Sequence, residues 1–154
     1  MKKANIKNFK KTLSKFSTGI TVVCVKNKNA IYGKTVNSFN SLSLNPHMVL
    51  FSLGNYSSSI NQFSKAKFLS INILSNKQKK LSENFASSTP KLENINFIIG
   101  KNKTIIIPDC IANLECKLTD KIKKGDHMIF ICKVLELQFN DKLKPLVYFN
   151  SKYF

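Results

Sequence analysis

Apolar residues recur along the chain in two rhythms, and each predicts its own kind of element. Ile6, Phe9, Leu13 and Phe16 fall at helical spacing with lysines between them, so an amphipathic helix is expected over 5–16, ended by Ser17-Thr18-Gly19. The β-branched run Ile20-Thr21-Val22-Val23-Cys24-Val25 has the length and composition of a buried strand. Lys26-Asn27-Lys28-Asn29 reads as the turn that carries it into a second strand at Ile31-Tyr32-Gly33. Over 33–46 apolar residues are interleaved with small polar ones. Val36, Phe39, Leu42 and Leu44 are expected to find a core, leaving Thr35, Asn37, Ser38, Ser41 and Ser43 free to donate and accept. Asn45-Pro46 punctuates this stretch, and 48–53 resumes as a strand.

Downstream, Tyr56-Ser57-Ser58-Ser59 resembles a helix start, with Ile60 and Phe63 on one face of a short helix. A strand follows at 68–74, and Ser75 or Asn76 is placed to cap a helix containing Leu81 and Phe85. Residues 86–94 form a solvated connection, followed by strands at 97–99, 105–107 and 112–118. Lys121 to Gly125 reads as a loop before a long strand at 127–137, and 145–149 is the last strand. About seven strands, two or three short helices and no regular β-α alternation predict a mainly β fold, a barrel with short peripheral helices. At 154 residues the chain is expected to form one domain over 1–154.

The formal charge of +17 comes from 25 basic residues, all of them lysine, against 8 acidic ones. Because arginine carries bidentate recognition of bases and phosphates, this balance points away from specific nucleic-acid binding and toward attraction of small anions. Cys24, Cys110, Cys116 and Cys132 lack C-x-x-C spacing and read as reduced, partly buried thiols rather than a disulfide framework or metal site. The first residues lack the apolar core of a signal peptide, and no apolar run reaches membrane-spanning length. A cytoplasmic protein that engages no membrane is expected.

Three constellations carry candidate chemistry. Thr35, Asn37, Ser38 and Ser41, with Ser52 on the neighbouring strand, offer amides and hydroxyls over an apolar floor, which suits a polar planar ring; a solvent-facing polar strand would read the same way. Ser57 and Ser58 mark either an anion site at a helix start or a simple cap. Gly125-Asp126-His127 is a tight turn that presents an imidazole, and a lone histidine can equally be structural, the reading given to His47. G-x-G-x-x-G and G-x-x-x-x-G-K-[ST] are absent, which excludes the Rossmann and P-loop routes to nucleotides, and no His/Asp/Glu cluster shows metal spacing.

Several blocks in order resemble the short-chain flavin reductases of two-component monooxygenases. They are Phe16-Ser17-Thr18-Gly19-Ile20-Thr21-Val22-Val23, the pattern Gly-x-Thr-x-Asn-Ser-Phe-x-Ser-x-Ser-Leu-x-Pro over 33–46, residues 68–74 with Gln78, Ala112 to Cys116, Gly125-Asp126-His127, and Pro145-Leu146-Val147-Tyr148. The resemblance covers nearly the whole chain and implies an FMN-binding split β-barrel that works as a homodimer. It implies FMN or FAD held by Thr35, Val36, Asn37, Ser38, Ser41, Ser52, Leu53, Ser57, Ser58, Asn84 and Phe85, with His127 and Tyr148 on the nicotinamide side. Hydride from NADH or NADPH would reduce the flavin, which would then pass to a partner monooxygenase. Two other functions stay open: a split-barrel flavin carrier without turnover, and a basic oligonucleotide-binding barrel using exposed aromatics. The chain departs from the family pattern at His47, where many relatives have a second proline, and at Lys34, where an apolar or small residue is commoner.

Overall fold

A computed structural model describes residues 1–28 and 30–154. In chain order the elements begin α1 (Ile6–Leu13), β1 (Thr18–Gly19), β2 (Thr21–Asn27), β3 (Ala30–Val36), β4 (Asn40–Leu44) and β5 (His47–Gly54). Next come α2 (Ile60–Lys65), β6 (Phe68–Ile73), a 3₁₀ turn (Asn76–Gln78), α3 (Lys79–Ala86), β7 (Ile98–Ile99) and β8 (Ile105–Ile106). The chain closes with β9 (Ala112–Lys124), β10 (His127–Phe139), β11 (Val147–Phe149) and β12 (Lys152–Tyr153).

The mainly β expectation holds. Seven strands form one antiparallel sheet in the order β3-β2-β6-β9-β10-β5-β4, with small sheets β1-β11-β12 and β7-β8 beside it. β3 and β4 lie at opposite ends of that order yet are consecutive in sequence, joined by the corner at 37–39. The corner is stitched to β5: Ser38 Oγ accepts from the Ser52 N–H at 3.0 Å and donates to the Ser52 carbonyl at 3.2 Å. The two ends of the sheet are thereby drawn together.

β2 explains why its sequence is apolar without alternation. Val23 and Val25 face an inner core with Phe51, Phe63, Leu69, Ile71 and Phe130. Val22 and Cys24 face an outer one with Leu74, Phe85, Ile105, Ile107 and Leu146. Both faces are covered over Val22–Val25, so each of these four positions is apolar. The inner core centres on Phe51 stacked on Phe130, ring centroids 5.0 Å apart, with Phe63 of α2 edge-on to both. All four cysteines are free and buried, and burial raises each thiol's pKa.

Gly33 holds α3 against the barrel. A Cβ there would lie 2.5 Å from Cε1 of Phe85, whose ring is fully buried, so no side chain fits. Gly33→Ala is expected to cost about 1–3 kcal/mol through overpacking, read as a lowered urea midpoint at unchanged slope.

The structure corrects several expectations. The 33–46 stretch is not one strand but two around a corner, and Leu42 and Leu44 are exposed, 47% and 83%, instead of core. The reason is position: β4 is the last strand of the sheet, bonded on one side to β5 with a register shift between Ser41 and Ser43. Lys121 to Lys124 are not loop but the end of β9, which turns through Gly125-Asp126 directly into β10. Gly125 has φ +57°, the conformation such a two-residue turn requires at its first position. The first helix stops at Leu13, capped at Asn5, whose Oδ1 accepts from the Asn8 N–H. Of the expected turn at Lys26-Asn27-Lys28-Asn29, Asn29 lies outside the described residues.

Candidate functional site

Strand register assembles a cavity of about 500 Å³ from segments far apart in sequence. β3 contributes Lys34, Thr35 and Val36, the corner Asn37 and Ser38, and β5 Ser52, Leu53 and Gly54. Tyr56, Ser57 and Ser58 follow from the loop before α2, and Ala86 and Ser88 from the end of α3. β10 pairs with β5 so that His127 lies opposite Gly54, which brings the Gly125-Asp126-His127 turn to the rim.

That turn is tied down on several sides. Asn55 N–H donates to the Asp126 carbonyl at 2.8 Å, and Asn55 Nδ2 donates to the Gly125 carbonyl at 3.2 Å. His127 Nδ1–H donates to Asp126 Oδ1 at 2.7 Å, and Tyr56 Oη donates to Asp126 Oδ2 at 3.0 Å. The bond to His127, and then the one to Tyr56, hold the Asp126 carboxyl below the ordinary range, while Asp126 raises the Tyr56 phenol. With Nδ1 bound, the imidazole presents Nε2 as its free edge.

Of the residues expected to contact flavin, Thr35, Val36, Asn37, Ser38, Ser52, Leu53, Ser57 and Ser58 line this cavity together, as does His127, expected on the nicotinamide side. Two of them also have structural duties. Thr35 Oγ1 donates to the Ser82 carbonyl of α3 at 2.7 Å, and the Ser38 hydroxyl is committed to the Ser52 backbone. Ser57 is different: its Oγ is buried without a hydrogen-bond partner, although its N–H donates to the Gly54 carbonyl. A buried hydroxyl left unmatched beside a cavity is an unmet donor and acceptor that a polar ligand would satisfy.

Four expected contacts lie elsewhere. Ser41 is exposed on β4, beyond β5. Asn84 is turned to its own connection, donating to the Lys91 carbonyl and accepting the Lys91 N–H. Phe85 is fully buried in the outer core under Gly33, so its role is to seat α3. Tyr148 packs on the same core, edge to face with Tyr153 at 5.2 Å. The sequence reading passed over Gly54, Tyr56, Ala86 and Ser88, and it noted Lys34 only as a departure. Nothing local marks these residues, since β5–β10 and β3–α3 contacts place them. Of the aromatics, Phe51, Phe63, Phe85 and Phe130 are fully buried and unavailable for stacking on bases, which leaves the oligonucleotide reading only exposed rings such as Phe9, Phe16, Tyr56, Phe139 and Phe154.

The lining suits a flavin. Asn37, Ser57 and Ser58 offer amide and hydroxyl groups beside apolar Val36 and Leu53, in a volume within the usual range for cofactor sites.

Known proteins share both sequence and fold. The chain is 34% identical over 137 residues to the FMN reductase (NADH) SmoA of Agrobacterium fabrum, covering 89% of this chain and 79% of that protein. It is 32% identical over 145 residues to the reductase component of 4-hydroxyphenylacetate 3-monooxygenase from Thermus thermophilus, covering 94% and 93%. The solved flavin reductase PheA2 in its native state superposes with a TM-score of 0.91 at 33% identity, over 97% of each chain. The family described as flavin reductase like domain matches residues 13–154, and the chain belongs to that family.

Proposed function

We propose that this chain is an NAD(P)H-dependent flavin reductase, one domain over 1–154, that reduces FMN or FAD and supplies reduced flavin to a separate monooxygenase. The observation that carries this reading is the cavity itself, lined by the polar and apolar groups of the corner, by Ser57 with its buried unmatched hydroxyl, and by a histidine fixed at the rim. Asn37, Ser57 and Ser58 would hold the polar parts of the flavin, and Val36 and Leu53 would bear on its ring. When bound, the flavin accepts a hydride from the nicotinamide and carries the electron pair away. His127 and Tyr56, both held by Asp126, orient the incoming nicotinamide. Positioning rather than proton transfer is what the protein must provide.

We further read the working form as a homodimer in the cytoplasm. On α1 and just after it Ile6, Phe9, Leu13 and Phe16 are more than half exposed, as are Ile98, Ile99, Leu137 and Phe139, apolar side chains that a second copy would cover. Four free cysteines fit a reducing compartment.

The test is oxidation of NADH and of NADPH by the purified protein with FMN, with FAD and without flavin. Flavin-dependent oxidation is expected, and bound flavin without oxidation would instead make the protein a carrier. His127→Ala is expected to raise KM for the nicotinamide with flavin affinity unchanged, whereas Asn37→Ala weakens flavin binding. Unchanged kinetics in both would reject the site.

A further inference from the structure

Lys34 is buried, 9% exposed, in a chain whose other lysines are more open. Its Nζ donates to the Ser87 carbonyl at 2.7 Å, and among the described residues it makes no ion pair. An ammonium has three donors, so a neutral carbonyl leaves two of them and the whole charge unmatched. Lysine is seldom buried without an opposite charge. Burial lowers its pKa, and a nearby anion would relieve that penalty. The surroundings point to where the anion belongs. Among the described residues Lys34 is the one lysine lining the cavity, and no carboxylate lines it. Ser58 Oγ donates to the carbonyl of Ser88, the residue after the one that Lys34 holds. Ser57, with its unmatched hydroxyl, is adjacent. The cavity lining thus brings together a buried cation and two adjacent serines, one of them with its hydroxyl unmatched.

Building on the proposed flavin site, we propose that Lys34 is the counter-ion for the phosphoryl group of the flavin, and that it makes this cavity prefer phosphorylated flavins to riboflavin. Lys34 thus sets ligand choice at the phosphoryl end of the flavin.

Dissociation constants for FMN and riboflavin, measured by flavin fluorescence in the full chain and in Lys34→Met, test the assignment. Loss of a charged hydrogen bond is expected to weaken FMN by roughly ten- to a hundredfold while riboflavin is unchanged. Lys34→Arg should restore most of the preference. Inorganic phosphate should compete with FMN in the parent protein and not in Lys34→Met. Retained riboflavin binding shows that the variant is folded. The same FMN-to-riboflavin ratio in parent and Lys34→Met would overturn the assignment and leave the flavin site standing. Should the variant fail to fold, the parent protein decides: equal affinity for the two flavins, or no competition by phosphate, overturns it. If the parent protein binds no flavin of any kind, the proposed function fails as well.

Discussion

Phe85→Ala is expected to lower the free energy of unfolding by about 3–5 kcal/mol, the largest loss from a single truncation beside the cavity. The ring is fully buried against Gly33 and shares the outer core with Ile20, Val22, Ile105 and Leu146, so its removal leaves a hole that rigid strands cannot close. Because α3 rests on that ring, its end would shift too. Thr35 and Lys34 both donate to carbonyls of α3 or the residue after it, and Ala86 and Ser88 line the site, so flavin affinity should fall together with stability. Phe85→Leu should recover much of both. Urea unfolding with and without FMN separates the possibilities: a variant of parental stability that fails to bind flavin would make Phe85 a ligand contact.

Glu115→Gln is expected to cost about 1.5–3 kcal/mol, and Glu115→Ala more. The carboxylate is 6% exposed and gathers the hairpin between β7 and β8 around itself, accepting from Lys101 N–H at 2.9 Å, Asn102 N–H at 2.8 Å and Thr104 Oγ1 at 2.7 Å. It fills the space where a Cβ on Gly100 would stand. Burial pushes its pKa up, yet the bonds from Thr104, Asn102 and Lys101 outweigh burial and hold it below the ordinary value. A group depressed in the folded state contributes stability that is complete above its unfolded value, about 4.3, and is lost as pH falls through the lower folded one. Urea midpoints between neutral pH and pH 3 should therefore drop less steeply in Glu115→Gln than in the parent. Parallel curves would show that Glu115 carries no such linkage.

Local signals were readable where one segment decides its own structure. The run at 20–25 announced a buried strand, Asn45-Pro46 a turn, and Gly125-Asp126 a tight turn presenting His127. Gln78 and Ser75 pair at the start of α3's leading turn, near where a cap was expected: Ser75 N–H donates to Gln78 Oε1. What escaped depended on partners distant in the chain. Ser41 and Ser38 belong to one polar pattern, yet one hydroxyl clamps the corner to β5 and the other faces solvent, because only the sheet order tells which strand is an edge. Phe85 matched a family position near flavin, but its exposure depends on a glycine 52 residues earlier, at position 33. Tyr56 reaches the site through Asp126, a contact no periodicity encodes. Lys34 sat in plain view as an oddity, and only its burial gives the oddity a meaning.

The four sequestered thiols bear on how such a catalyst survives its own product. Reduced flavin that meets dioxygen before reaching an acceptor yields hydrogen peroxide, and peroxide attacks thiolates rather than thiols. Cys24, Cys110, Cys116 and Cys132 are out of solvent and held protonated, so oxidant released at the mouth of the cavity finds no cysteine thiolate to attack. Futile turnover should thus cost the cell reducing equivalents while the four thiols of the folded protein stay reduced.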